Sequence, residues 1–306
     1  MQLEELKNRY DGRVFLIGSG PSIKQTPLEI LRDEYTLAVN TVPDIFNETE
    51  WRPSFYVCVD DRIDENHFKE IMNLGIPRFF PKKFKNMFTS VTSSTYPGDS
   101  FFFNHSGIRE SGNLDVSTYN VNYDSICSYQ DVWSRDITNV VLGYNTVMYE
   151  SVQILTYLGF DELCFVGTDL YDVFDEYLIF SEASDPSLYE LQYNSWLKNG
   201  LEFIKNANRP FKSFCNALAY KLAIAEPFKI YPRLSNYAGR FNKNNYFSGE
   251  YSVDKIMTPN QNKRHIAAHE LMKWVSNELN FDIYNATVGG NLEVYPRVNL
   301  QDVLNN

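Results

Sequence analysis

The amino-acid sequence predicts an α/β fold in which a mostly parallel sheet is flanked by helices. Short apolar runs typical of buried strands recur along the chain, with segments of helical apolar spacing between them. The predicted strands cover residues 14–17, 36–39, 55–59, 140–142, 163–166 and 282–284. A helix is predicted over residues 146–158, because its apolar residues recur at helical spacing and Gly159 is a typical stop.

Composition narrows the class of protein. The chain has 306 residues, 43% of them hydrophobic, which is enough for one large domain or for a core with a subdomain. A net charge of −11 argues against a nucleic-acid partner. No apolar run approaches the length of a membrane span, and the start lacks the basic residues of a secretion signal. The four cysteines lack metal-ligand spacing, so we expect free thiols in a cytoplasmic protein.

A glycine turn follows the first predicted strand. It consists of Gly18, Ser19, Gly20, Pro21 and Ser22. Two glycines permit close backbone approach, and Ser22 is expected to cap a helix suggested by the apolar residues near Leu31. This is the geometry of an anion or nucleotide seat, although a simple tight turn fits equally well. The turn departs from the dinucleotide fingerprint, because Ile23 stands at the third glycine position.

Polar residues follow three further predicted strands. Asn40 comes after strand 36–39, Asp60 and Asp61 follow strand 55–59, and Gly167, Thr168, Asp169 and Tyr171 follow strand 163–166. Because parallel strands end at one edge of a sheet, these groups can together contact a ribose, a base and phosphates. Each can instead cap a loop or a helix.

Residues 172–261 are dense in aromatic and polar residues and lose the periodicity of a sheet. We expect a mainly helical insertion that closes as a lid over a core made of residues 1–171 and 262–306. The aromatic residues between positions 177 and 251 indicate either a platform for an acceptor or a contact between subunits of a homo-oligomer.

These motifs resemble the bacterial sialyltransferases of glycosyltransferase family 42 and a related family that includes archaeal 6-hydroxymethylpterin diphosphokinase-like proteins. The resemblance is carried by residues 17–22, 39–40, 158–160 and 167–171 and by Tyr177. It implies a Rossmann-like core, a variant of the GT-A type, that binds a CMP-sugar through the glycine turn and Asn40. It also implies that Tyr171 and Tyr177 contact the phosphate of the leaving CMP.

The resemblance further implies a general base before the last helix, and His265 lies near that position. His269 is the alternative candidate for the base. The two histidines would share one helical face, an arrangement that also fits metal ligation. Either histidine can instead be a solvated surface residue. Tyr144 stands where the family has an arginine, so the donor sugar can differ from sialic acid. The remaining candidate donor-binding residues are Asp60, Asn145, Thr146, Gly167, Thr168 and Asp169.

The resulting expectation is an inverting, metal-independent glycosyltransferase without a cofactor. It would transfer a keto-sugar from a CMP-sugar to a surface glycan, as in lipopolysaccharide or capsule biosynthesis, at the inner face of the membrane. The alternative is an ATP-dependent diphosphokinase of a pterin-like alcohol, with Mg²⁺ held by Asp60, Asp61 and Asp169. A third possibility is a nucleotide-binding protein without catalysis.

A second glycine-containing stretch, residues 285–292, follows the last predicted strand. Asn285 or Thr287 is placed to hydrogen-bond a nucleobase or a ribose. A simple loop into a C-terminal strap explains the stretch equally well.

Overall fold

The computed structural model describes residues 2–60, 63, 65–87, 99–108, 114–115, 120–121, 126, 128–170 and 259–305. The chain divides into two compact units, Met1–Leu170 with Asn260–Asn306, and Tyr171–Pro259. The predicted lid of residues 172–261, together with Tyr171 and Tyr177, lies outside the described residues except for its last three positions. Its closure over a ligand therefore stays a prediction.

The main sheet of the first unit has seven parallel strands. The strands of the unit are, in chain order, β1 (Arg13–Ile17), β2 (Thr36–Val39), β3 (Phe55–Val57), β4 (Arg78–Pro81), β5 (Ser100–Phe103), β6 (His105–Gly107), β7 (Leu114–Asp115), β8 (Asn120–Val121), β9 (Val141–Gly143), β10 (Glu162–Val166) and β11 (Asp282–Asn285). The main sheet has the order β11-β10-β1-β2-β3-β4-β5, and every neighbouring pair is parallel. The predicted α/β fold with a mostly parallel sheet is confirmed.

The strand order changes direction at β1. The strands from β2 to β5 extend away on one side, whereas β10 and β11 lie on the other. Open α/β sheets hold their ligands in the crevice beyond the carboxyl ends of the strands at such a switch point. The fold therefore predicts a ligand site at the carboxyl ends of β1 and β10.

Helices cover the sheet and connect its strands. They are α1 (Glu65–Asn73), α2 (Phe84–Met87), α3 (Val147–Leu158), α4 (Pro259–Leu279) and α5 (Leu300–Leu304). The predicted helix 146–158 is confirmed as α3, since Thr146 is its N-cap and Gly159 closes it with a φ of 114°. Among the helices in the described ranges, none is long and apolar enough to cross a membrane.

The prediction of a helix after the glycine turn is wrong. Two short 3₁₀ turns, Pro21–Gln25 and Leu28–Leu31, take its place. Pro27 separates them, because a proline removes a backbone donor and blocks the continuation of a helix. Ser22 is thus not a helix cap, and its hydroxyl bonds to Asp169 instead.

Strand 140–142 is found as β9, but it lies outside the main sheet. It pairs with β6 in a two-stranded parallel sheet of its own. The main sheet instead gains β4 and β5, which the strand prediction did not include. Cys58 and Cys164 are buried free thiols, and burial raises the pKa of each to about 12.

Candidate active site at the carboxyl edge of the sheet

The ends of β1 and β10 contact each other backbone to backbone. The Gly18 N–H donates to the Val166 carbonyl at 2.8 Å, and the Gly20 N–H donates to the Gly167 carbonyl at 2.9 Å. A Cβ atom on Gly18 would lie 2.4 Å from the Gly167 oxygen. Glycine is needed at position 18 because a side chain would separate the two strand ends.

The Asp169 carboxylate lies over the first 3₁₀ turn. The Ser22 hydroxyl donates to Asp169 Oδ2 at 2.9 Å, and the Ser22 N–H points to the same oxygen at 3.4 Å. Burial raises the pKa of Asp169 to about 6, although the bonds from Ser22 oppose this rise. The protein's own carboxylate thus takes the place that the sequence analysis gave to a bound anion.

A loop after β11 holds the Asp169 segment from the other side. The Thr168 N–H donates to Thr287 Oγ1 at 3.0 Å, and the Asn291 N–H donates to the Asp169 carbonyl at 2.7 Å. Asn285 bonds within this loop, accepting from the Thr287 N–H at 3.0 Å and donating to the Leu292 carbonyl at 2.7 Å. The loop therefore supports the site, and the side chain of Asn285 is engaged in it.

The side chain of Arg297 holds the same loop through hydrogen bonds to backbone carbonyls of the loop. Its guanidinium donates to the carbonyls of Gly289 and Gly290, each at 2.7 Å, and to that of Thr287 at 3.2 Å. Gly289 and Gly290 have φ values of 69° and 74°, which favour glycine. The loop is held in one conformation beside Asp169.

Four buried oxygen atoms directly after β2 and β10 have no hydrogen-bond partner among the described residues. They are Asn40 Oδ1, Thr41 Oγ1, Thr168 Oγ1 and Asp169 Oδ1. They follow β2 and β10, the two neighbours of β1. Leaving a buried polar group unsatisfied costs roughly 1–3 kcal/mol, so their clustering here indicates a ligand that supplies the missing partners. The sequence analysis missed Thr41, although its place directly after Asn40 at a strand end was a usable signal.

Asn40 is held in a left-handed conformation with a φ of 42°. Its N–H donates to the Val57 carbonyl at 3.0 Å, and its carbonyl accepts the Tyr56 hydroxyl at 2.5 Å. Asparagine tolerates this conformation better than most residues. The backbone is thereby fixed from β3 while the side-chain oxygen is left for another partner.

The other predicted donor-binding residues are more exposed than this centre. Ser19, Pro21 and Asp60 are half-buried, and Asn145 is exposed at the start of α3. Burial raises the pKa of the adjacent Tyr144, while the hydrogen bond with Asn145 and the charge of Arg264 oppose the rise. The structure thus unites Gly18, Gly20, Ser22, Gly167, Thr168 and Asp169 in one contact network. Direct ligand contacts by the rest stay predictions.

The two histidines of α4 differ from a solvated surface pair. His269 is fully buried, and its Nδ1 lies 3.1 Å from the Tyr295 hydroxyl. Burial lowers the pKa of His269 to about 3 and that of His265 to about 4. The surface interpretation is wrong for His269. The role of His265 as general base stays a prediction, and a pKa of about 4 makes it a weak base.

Neither a metal cluster nor a cavity elsewhere in the described residues offers a better site. Within the described ranges, no three His, Cys, Asp or Glu side chains gather in a way that would hold a metal ion. A cavity of about 700 Å³ lies at the opposite, amino edge of the sheet, where Arg13 and Glu34 line it. These two side chains pair with each other at 2.7 Å, so their charges are already satisfied. The carboxyl edge is the better candidate.

Comparisons with known proteins give little beyond this geometry. No family model matches the chain, and no curated protein matches it. Among solved structures, the chain is similar to the MAf glycosyltransferase from Magnetospirillum magneticum AMB-1, at 13% sequence identity and a TM-score of 0.46. The similarity covers 98% of this chain but only 38% of that one.

Proposed function

We propose that the chain is a glycosyltransferase that binds a nucleotide-activated sugar at the switch point between β1 and β10. The observation that carries the proposal is the set of four buried oxygens after β2 and β10 that lack a partner in the described part of the chain. Each oxygen can accept a hydrogen bond, so a fitting ligand presents donors. The hydroxyls of a ribose and the amino group of a nucleobase are such donors.

The same geometry favours an orientation for the nucleotide. The Asp169 carboxylate occupies the turn at Ser22 and would repel a phosphate placed beside it. The N–H groups of Gly18 and Gly20 already donate to the protein backbone. We therefore place the nucleoside near Asp169 and Asn40 and the phosphate farther out.

The proposed donor is a CMP-activated keto-sugar, and the proposed acceptor is a surface glycan. In an inverting transfer, the acceptor oxygen bonds to the anomeric carbon while the bond from that carbon to the CMP phosphate breaks. CMP leaves with the electron pair, and hydrogen bonds from Tyr171 and Tyr177 stabilise its charge. The motif resemblance supports this finer assignment.

Nucleotide binding is the first test. We expect CMP to raise the melting temperature more than CDP, UDP, GDP or ATP, each tried with and without Mg²⁺. A ligand at about 100 times its Kd stabilises the folded state by roughly 2.7 kcal/mol, a shift that is readily measured. No shift with any of these nucleotides would count against a nucleotide site.

An ATP-dependent diphosphokinase is the second candidate function. The observation that favours it is Asp169 Oδ1, which has no partner among the described residues, because a carboxylate oxygen is also a ligand that Mg²⁺ prefers. This function predicts a melting-temperature shift with ATP that requires Mg²⁺ and no shift with CMP. The nucleotide panel therefore separates the two candidates.

A further inference from the structure

A carboxylate–imidazole pair, His105 and Glu150, lies at the carboxyl edge of the sheet. His105 Nε2 is 3.0 Å from Glu150 Oε1. The Glu150 side chain is 5% exposed, whereas the His105 side chain is 26% exposed. One member of the pair is therefore buried and fixed, and the other reaches solvent.

The local structure makes room for this contact. A Cβ atom on Gly143 would lie 2.4 Å from His105 Nε2 and 2.8 Å from Glu150 Oε1. Any larger residue at position 143 would push the two side chains apart. The glycine of β9 is thus a steric requirement of the pair.

The pair lies at the same edge of the sheet as the candidate site. His105 comes two residues after the end of β5, and Glu150 lies in the first turn of α3, which runs back from this edge to β10. Met148, in the same turn, reaches to within 3.0 Å of a Cβ placed on Gly18. Glu150 follows Met148 by two positions, so at about 100° per residue their side chains leave α3 on different sides.

The arrangement has the chemistry of an oriented base. A buried carboxylate that accepts the Nε2–H fixes the tautomer of the ring and leaves the Nδ1 lone pair for another proton. Burial raises the pKa of Glu150, while the hydrogen bond and the charge of His105 oppose the rise. His265 has no carboxylate among the groups that act on its pKa.

We propose that His105 accepts the proton of the acceptor hydroxyl and that Glu150 is its positioning residue, an assignment that rests on the proposed glycosyl transfer. As the acceptor oxygen bonds to the anomeric carbon and CMP leaves with the electron pair, the hydroxyl proton moves to His105 Nδ1. The negative charge of Glu150 stabilises the imidazolium that forms.

The experiment measures release of CMP from CMP-N-acetylneuraminate with water as the acceptor. We expect His105→Gln to lower kcat about a hundredfold or more, with the melting-temperature shift produced by CMP unchanged. Glu150→Gln should lower kcat less than His105→Gln and change the pH–rate profile, because the ring of His105 loses the carboxylate that orients it. The matched control is Glu48→Gln, which removes an exposed carboxylate paired with Lys24 at 3.4 Å.

The outcomes separate this assignment from the proposed function. A His105→Gln variant that keeps kcat within threefold of the wild type overturns the base assignment and leaves the glycosyltransferase intact. A wild-type chain that binds CMP but releases none from CMP-N-acetylneuraminate or from any other CMP-activated keto-sugar overturns both. If His105→Gln does not fold, Glu150→Gln decides, because an unchanged pH–rate profile overturns the positioning role. ¹⁵N spectra of the resting protein should show the Nε2–H tautomer of His105, and the Nδ1–H tautomer overturns the assignment.

Discussion

The carboxylate of Asp169 occupies the space that a side chain on Gly20 would need. A Cβ atom on Gly20 would lie 1.8 Å from Asp169 Oδ2 and 2.6 Å from the Gly167 carbonyl. The φ of Gly20 is −68°, which any residue adopts. Glycine is therefore required here for room, and the Ser22–Asp169 hydrogen bond depends on it.

Gly20→Ala should displace Asp169 and weaken the protein. Forcing a methyl group into a packed site costs roughly 1–3 kcal/mol in the free energy of unfolding, which urea titration measures. CMP should also bind more weakly, because Asp169 Oδ1 moves. The control is Gly75→Ala, since a Cβ there has no atom within 4 Å. A Gly20→Ala variant as stable as this control would contradict the role given to the contact.

Asp169→Asn should stabilise the protein at neutral pH while weakening CMP binding. The pKa of Asp169 rises from 3.8 to about 6 on folding, so the folded state binds more protons within this window. The stability that the protonated Asp169 side chain contributes is fully present below pH 3.8 and is lost as the pH rises through 6. An amide does not titrate, so the variant should exceed the wild type at pH 7.5 by up to about 3 kcal/mol.

Two measurements check the Asp169→Asn prediction. Urea titrations at pH 4 and pH 7.5 should show a gain at the higher pH only. The affinity for CMP should fall about tenfold or more, because hydrogen bonds to charged groups contribute roughly 1.5–3 kcal/mol. Unchanged CMP affinity would remove Asp169 from the site.

The sequence predicts the centre of the fold well, because each central strand is a continuous apolar run. Strands 14–17, 36–39 and 163–166 match β1, β2 and β10 closely. β4 was not predicted, because it begins with Arg78 and a charged residue is not typical of a buried strand. That guanidinium is fully buried and is satisfied by the carbonyls of Ile71 and Met72 and by Asp99, partners that no local pattern reveals.

The candidate site was predictable in its location but not in its contacts. The strand ends at Gly18, Asn40 and Asp169 follow from the rule for parallel sheets. That Asp169 fills the turn at Ser22 depends on a bond across 147 positions of sequence. The His105–Glu150 pair spans 45 positions, and spacing along the chain carries no signal for such a contact.

Tyr56→Phe should weaken CMP binding although Tyr56 is itself buried away from solvent. Its hydroxyl donates to the Asn40 carbonyl at 2.5 Å and helps to hold the left-handed backbone of Asn40. Removing one such bond costs roughly 0.5–1.5 kcal/mol of stability. Calorimetric titration with CMP should show lower affinity, whereas equal affinity in the variant would mean that Asn40 is held without this bond.

The last prediction concerns acid stability and His269, whose ring bonds to Tyr295 and whose Nε2 has no partner in the described part of the chain. Burial lowers the pKa of His269 from 6.5 to about 3. Between these values the unfolded state binds more protons, so the free energy of unfolding falls as the pH drops below 6.5. By pH 5 this loss of unfolding free energy amounts to roughly 2 kcal/mol.

His269→Leu cannot take up the proton, and the Tyr295 hydroxyl can still donate to the carbonyl of residue 269. We therefore expect the variant to lose less stability than the wild type between pH 7.5 and pH 5, measured by urea titration at both. Protonation of Asp169 acts in the opposite direction, so comparing the double variant with Asp169→Asn isolates the histidine. If the two lose equal stability on acidification, His269 does not set the acid limit of this fold.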